Sequence, residues 1–137
     1  MDRDVIERKL EALRHCIARV RAKRPPTAES LAADADLQDV LVLNLSRAVQ
    51  VCVDIGAHLL APSGSAPPQT MGETFTRLGE AGLIDAELAA RLRSAVGFRN
   101  IAVHNYQTID WGIVWLLAGG PLNDFEAFAR QVARTLT

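Results

Sequence analysis

The chain has 137 residues, with 15 Lys/Arg against 16 Asp/Glu, 49% apolar and 23% charged positions, and two cysteines. That is one domain with a core of its own, too short for two catalytic domains and too apolar to be disordered. Cys16 and Cys52 are too few for a disulfide framework, no Cys/His cluster has zinc spacing, and no window approaches the roughly 18 apolar residues of a membrane-spanning helix.

Taken in order, the chain reads as helices. Residues 2–23 place Val5, Leu10, Leu13, Ile17 and Val20 at helical spacing, and Arg24-Pro25-Pro26 stops the helix, since proline lacks an amide and disfavours helix in the residue before it. The N-terminus alternates charged and apolar residues without a signal-peptide core, so a cytoplasmic protein without a membrane is expected. Residues 1–24 carry eight Lys/Arg against four acids, a net of +4 that leaves −5 for the remainder. Such a face suits a polyanion such as RNA, or is simply a solvated surface. His15 belongs to that surface.

A second helix spans about Asp36 to Leu60 and is apolar on most sides. Asn44, Arg47, Asp54 and His58 share one arc of it, either a polar wall lining a cleft, with Asp54 pairing Arg99 or Arg47, or the solvent stripe of the helix. The small, proline-rich segment from Ala61 to Pro68 is a loop. Thr70 caps a short third helix that ends near Gly79, with Gly82 closing the turn, and Asp85 caps a fourth that runs to about Val103 or Tyr106. A last helical region starts near Asp110, is kinked or broken near Ala118 by Gly119-Gly120-Pro121, and resumes to Leu136. Trp111 and Trp115 lie on it, as core or interface anchors in preference to base-stacking platforms. With no convincing strand and no internal boundary, residues 1–137 form a single all-α domain, an up-and-down bundle of about five helices.

The fourth helix carries the chemistry. Leu88, Leu92, Ala95, Arg99, Ala102 and Tyr106 recur at i+3/i+4 and share one face. An arginine within an apolar stripe must find an anion, reach out to water or face a partner subunit. Asn100 and His104 are i,i+4 neighbours beside it, so one short segment offers a fixed cation, a titratable imidazole, an amide and a phenol. That set suits cleavage of an RNA phosphodiester: His104 moves a proton near neutral pH, Arg99 neutralises transition-state charge, and the ribose 2′-hydroxyl is the nucleophile, so neither metal nor cofactor is needed. The competing reading pairs Arg99 with an acid and leaves His104 as a helix-end cap.

The segment Arg99-Asn-Ile-Ala-Val-His104-Asn-Tyr106 has the pattern R-x4-H-x-Y and resembles the HEPN superfamily, in particular its HepT toxins. The likeness extends to Leu37-Gln38-Asp39, Asn44-Leu45, Arg47 and Cys52-Val-Asp54-Ile with His58, to Phe75, Leu78, Leu83 and Ile84, and to Asp124-Phe125-Glu126 with Phe128. The resemblance implies a helical homodimer whose R-x4-H motifs meet across the subunit interface to form a metal-independent ribonuclease. Arg99 and His104 would be the catalytic pair and Asn100 a polar helper. It also implies a cognate nucleotidyltransferase antitoxin of the MntA kind that attaches AMP to the motif tyrosine, here Tyr106, the one tyrosine of the chain. AMP there adds bulk and negative charge where an RNA phosphate would bind. The competing expectation is a non-catalytic binding or regulatory subunit of a minimal nucleotidyltransferase, and a third is an RNA-binding adaptor that uses the basic first helix.

Overall fold

The computed structural model describes residues 2–102 and 108–137, and every regular element among them is a helix. The helices are α1 (Arg3–Lys23), α2 (Ala28–Ala32), α3 (Ala35–Leu60), α4 (Met71–Glu80), α5 (Ala86–Ala102), α6 (Trp111–Leu117) and α7 (Leu122–Thr135), with one 3-10 turn at Ala61–Ser63. Five are long enough to build the bundle, and the five-residue α2 and seven-residue α6 pack against one another.

Each boundary has a local cause. Asp2 caps α1, its Oδ1 accepting from the Asp4 and Val5 amides at 3.0 and 3.3 Å. The core side of α1 is Ile6, Leu10, Leu13, Ile17 and Val20, with Cys16 beside them. Ile6 rather than the expected Val5 occupies the first place, because 6, 10, 13, 17 and 20 follow the 4-3-4-3 rhythm of one helix face. Thr27 caps α2, a helix absent from the sequence expectation. Asp34 caps α3. Thr70 caps α4 as expected, its Oγ1 accepting from Glu73 N–H at 3.0 Å. Gly82, at φ +74°, closes α4 in a left-handed turn that glycine adopts without a steric penalty. The Leu83 N–H reaches back 3.0 Å to the Leu78 carbonyl in that turn.

The last helical region is broken rather than kinked: α6 ends at Leu117, and α7 begins at Leu122 after Pro121. Turn hydrogen bonds bridge the gap, with the Leu122 N–H donating to the Gly119 carbonyl at 3.0 Å.

Helix α1 packs between α3 and α7 and runs antiparallel to both. Its Lys9 meets Asp54 of α3, and its Arg21 meets Glu126 of α7. Helices α4 and α5 form an antiparallel hairpin, fixed at one end by Arg93 Nη1 donating to Thr76 Oγ1 at 2.7 Å and at the other by Gly79 resting on Ala89. The core centres on Leu41, Ile55, Phe75, Leu78, Leu88, Leu92 and Phe128, all fully buried. The Phe75 and Phe128 rings meet edge to face with centroids 6.0 Å apart.

Two expectations need correction. The stretch Ala35–Ser63 contains an 18-residue window of mean hydropathy 1.5, long and apolar enough to cross a membrane. It is nevertheless the central helix of this bundle, with Leu41, Leu45, Ala48, Cys52, Ile55 and Leu59 buried against its neighbours, and that packing is what makes it so apolar. Asn44, expected on the polar arc, is buried at 6% exposure. Its Nδ2 is satisfied by the Val40 carbonyl one turn back at 2.8 Å, so a polar residue enters the core without a lost hydrogen bond.

Candidate active site

The α5 stripe forms as its spacing predicts: Leu88, Leu92, Ala95 and Ala102 are buried, and Arg99 stands among them half-buried. A void of only about 10 Å³ lies where Arg99 meets Leu45, Val49, Ala95, Leu117 and Phe125, so the arginine has an apolar wall behind it. Its head is held from two sides. Nη2 donates to Ser46 Oγ of α3 at 2.9 Å, and Nη1 to Asn100 Oδ1 at 3.3 Å. The buried Nε finds no acceptor among the described residues. These partners are a hydroxyl and an amide, not a carboxylate, so they orient the guanidinium without neutralising it. A guanidinium stays protonated at every relevant pH, and an apolar backing strengthens its field.

In front of Arg99 lies an open cleft of about 320 Å³. Helix α3 lines it with Gln38, Asp39, Val42, Leu43 and Ser46, and the stretch that starts α6 contributes Ile109 and Trp111. His104 and Tyr106, expected respectively as the acid–base group and the modified phenol, lie outside the described residues. The two ends of their segment do not. Asp110 N–H donates to the Ala102 carbonyl at 3.0 Å, so the chain leaves α5 and enters α6 at one point. Asp110 then caps α6, its Oδ1 accepting from the Ile113 amide at 3.2 Å. Arg99 sits three residues before that junction, on the same helix.

Two residues expected in the cleft lie elsewhere. Asp54 pairs with neither Arg99 nor Arg47: its carboxylate faces Lys9 of α1 at 3.6 Å and accepts from Gln50 Nε2 at 2.9 Å. Arg47 is exposed, and its charge acts on Cys16 of α1. Both therefore flank the α1–α3 seam, roughly 80–100° around α3 from Ser46. Ser46 was not singled out from sequence, because a lone serine beside Arg47 carries no signal of what approaches it from α5. His15 is exposed, as expected.

The cysteines are free and buried. Burial holds the Cys52 thiol well above its ordinary range, with the nearby Cys16 adding to the rise. Burial also raises Cys16, against the pull of Arg47. Neither thiol is poised as a nucleophile. Part of the basic charge of α1 is taken up internally, since Arg3 bonds Glu7 at 3.0 Å, Arg14 bonds Glu11 at 2.6 Å, and Arg21 pairs with Glu126 and donates to Asn123 at 2.9 Å.

Comparison with known proteins identifies the family of the chain. The model of the Ribonuclease HepT-like family matches residues 3–132. The chain is 35% identical over 125 residues to the mRNA nuclease HepT of Shewanella oneidensis, covering 91% of this chain and 93% of that one. It is 25% identical over 128 residues to the tRNA nuclease HepT of Aphanizomenon flos-aquae, covering 93% and 87%. Among solved structures, it resembles the tri-AMPylated Shewanella oneidensis HEPN toxin in complex with an MNT antitoxin. That match has a TM-score of 0.84 and 34% identity, covering 98% of this chain and 99% of that one.

Proposed function

This chain belongs to the ribonuclease HepT-like family, and from that premise we infer that it is the ribonuclease toxin of a toxin–antitoxin pair. The observation that carries the chemistry is the Arg99 guanidinium, fixed by Ser46 against an apolar wall and turned toward an open cleft. It stands in R-x4-H spacing to a histidine on a segment whose two ends meet at Ala102 and Asp110.

In the mechanism we propose, RNA supplies the nucleophile. The 2′-hydroxyl attacks the adjacent phosphorus while His104 handles proton transfer. Arg99 stabilises the charge that builds on the equatorial oxygens of the five-coordinate transition state, and the 5′-oxygen leaves. The product ends are then a 2′,3′-cyclic phosphate and a 5′-hydroxyl. Asn100 assists by holding Arg99 in place.

Two partners complete the reading. A second copy of the chain brings another R-x4-H motif to the cleft. The exposed apolar side chains Leu43, Phe98 and Ile101, at 47%, 53% and 65% exposure, lie near Arg99 in sequence or line its cleft and suit a subunit interface. The second partner is a nucleotidyltransferase antitoxin of the kind bound in the related structure, which would transfer AMP to Tyr106 and block the site with bulk and negative charge.

The test is RNA cleavage by purified protein in EDTA, wild type beside His104→Ala and Arg99→Lys, with the product ends and intact mass recorded. Metal-independent cleavage leaving cyclic phosphate, lost in both variants, supports the mechanism. Cleavage that survives His104→Ala removes the histidine from it.

A further inference from the structure

A fixed arginine explains how the cleft receives a phosphate, but it leaves unexplained the acid on the same wall. Asp39 is exposed on α3 and lines the cleft with Arg99, Val42 and Trp111. It makes no ion pair within 4 Å among the described residues, and it is not a helix cap, since Asp34 performs that role for α3. Its neighbour Gln38 is committed elsewhere, with Nε2 donating to the Leu31 and Ala32 carbonyls at 2.9 and 3.1 Å. An exposed carboxylate repels an RNA backbone, so in this cleft it is tolerable to RNA only where it meets N–H donors.

Resting on the ribonuclease reading, we propose that this cleft is a base pocket for the nucleotide adjoining the bond that is cut, and that Asp39 selects guanine there. The volume of about 320 Å³ lies at the lower end of small-ligand sites and has room for one nucleotide rather than a duplex. Trp111, half-buried at the first turn of α6, supplies a flat apolar surface on which a base can stack, and Val42 lies one turn along α3 from Asp39 on the same wall.

The carboxylate then decides which base. It has two acceptor oxygens and no donor. Guanine presents N1–H and the N2 amino group side by side, so both oxygens are satisfied by charge-assisted hydrogen bonds in a bidentate pair. Adenine and cytosine each set an acceptor next to their amino group, and uracil flanks its one N–H with two carbonyls. Each of these leaves a carboxylate oxygen facing a lone pair, in place of the water that the base displaces from it.

The test measures kcat/KM in EDTA on short single-stranded RNAs that differ only in the base on either side of the cut. Wild type is compared with Asp39→Asn. Wild type is expected to favour guanine at one of the two positions by about tenfold or more. In Asp39→Asn one acceptor becomes a donor, which matches adenine, so the guanine-to-adenine ratio should fall by at least about tenfold. A ratio is unaffected by loss of folded protein. If the asparagine variant is inactive, Asp39→Ala is read in its place, and the guanine preference must collapse there. Wild type that cleaves without a guanine preference, or a preference that survives these substitutions, overturns the base pocket and leaves the ribonuclease reading standing. Wild type that cleaves none of the RNAs overturns both.

Discussion

Arg24 and Trp115 hold one another by two contacts, and the neighbouring Pro25 adds a third to the same indole. The guanidinium carbon lies 3.8 Å from the indole centroid, Arg24 Nε donates to the Trp115 carbonyl at 3.0 Å, and the indole N–H donates to the Pro25 carbonyl at 2.9 Å. This joins the proline-stopped end of α1 to α6, the helix whose cap, Asp110, returns to Ala102 within the motif. Gly119 makes room for it, since a Cβ there would lie 2.8 Å from Arg24 Nη2. The expected cost of Trp115→Ala is about 2–4 kcal/mol, because a half-buried indole loses packing and leaves a carbonyl unpaired. Urea denaturation in a double-mutant cycle with Arg24→Ala should give a coupling of about 1 kcal/mol. A coupling near zero would mean the two side chains are neighbours only.

The Arg99–Ser46 bond predicts a kinetic effect without a large stability effect. Ser46→Ala removes the acceptor that orients Nη2 but leaves the apolar wall under the arginine intact. Misplacing a group that stabilises transition-state charge costs up to about a hundredfold, so kcat/KM should fall by roughly tenfold to a hundredfold. Ser46→Thr keeps the hydroxyl and should recover most of the loss. Steady-state cleavage of one RNA substrate by the three proteins, with their melting temperatures, separates this positioning role from a structural one.

The α5 stripe was legible in the sequence because a 3.6-residue period fixes which residues share a face before any partner is known. The cap at Thr70, the turn at Gly82 and the break at Pro121 were legible for the same reason: each is decided within a few residues. The missed features depend on distant partners. Nothing near Asp54 announces that Lys9, 45 positions away, will face it, nor does anything near Ser46 announce Arg99, 53 positions away. Asn44 reads as a surface residue because its satisfaction by the Val40 carbonyl is visible only once the helix is buried. Helix α2 has five residues, too few to display a period.

Glu73 links the proline-rich loop to α4 in a pH-dependent way. Its Oε2 accepts from the Gln69 amide at 2.8 Å, the principal cause of a carboxyl pKa below the ordinary 4.5, and Arg77 lowers it further. Arg77 in turn donates to the Ala66 carbonyl, so the loop hangs on this pair. A depressed carboxylate pKa means the stabilisation is complete above the ordinary value and is lost as pH falls through the folded value. Glu73→Gln should therefore lower the melting temperature at neutral pH, with the difference from wild type shrinking as the pH drops below about 4.5. A difference independent of pH would assign the effect to packing instead of charge.

At Gly56, α3 and α4 approach closely. A Cβ at position 56 would collide with Thr74 Cγ2 and stand 3.1 Å from Leu78 Cδ1. Thr74 cannot move aside freely, since it is 2% exposed and its hydroxyl lies 3.4 Å from the Thr70 carbonyl. In a helix interior, alanine is otherwise better than glycine by about 1 kcal/mol, so two effects oppose one another here. Overpacking a closed core costs about 1–3 kcal/mol, which matches or exceeds that gain, and Gly56→Ala should be destabilising by up to about 2 kcal/mol. Thr74→Ser removes the colliding methyl and keeps the hydroxyl. Combined with Gly56→Ala, it should recover at least about 1 kcal/mol, because the helix-propensity gain then acts against a smaller clash. Urea denaturation of the two single variants and the double variant measures this directly. If the double variant is no better than the sum of the singles, the close approach of α3 and α4 is limited by Leu78 or by the backbone and not by the threonine methyl.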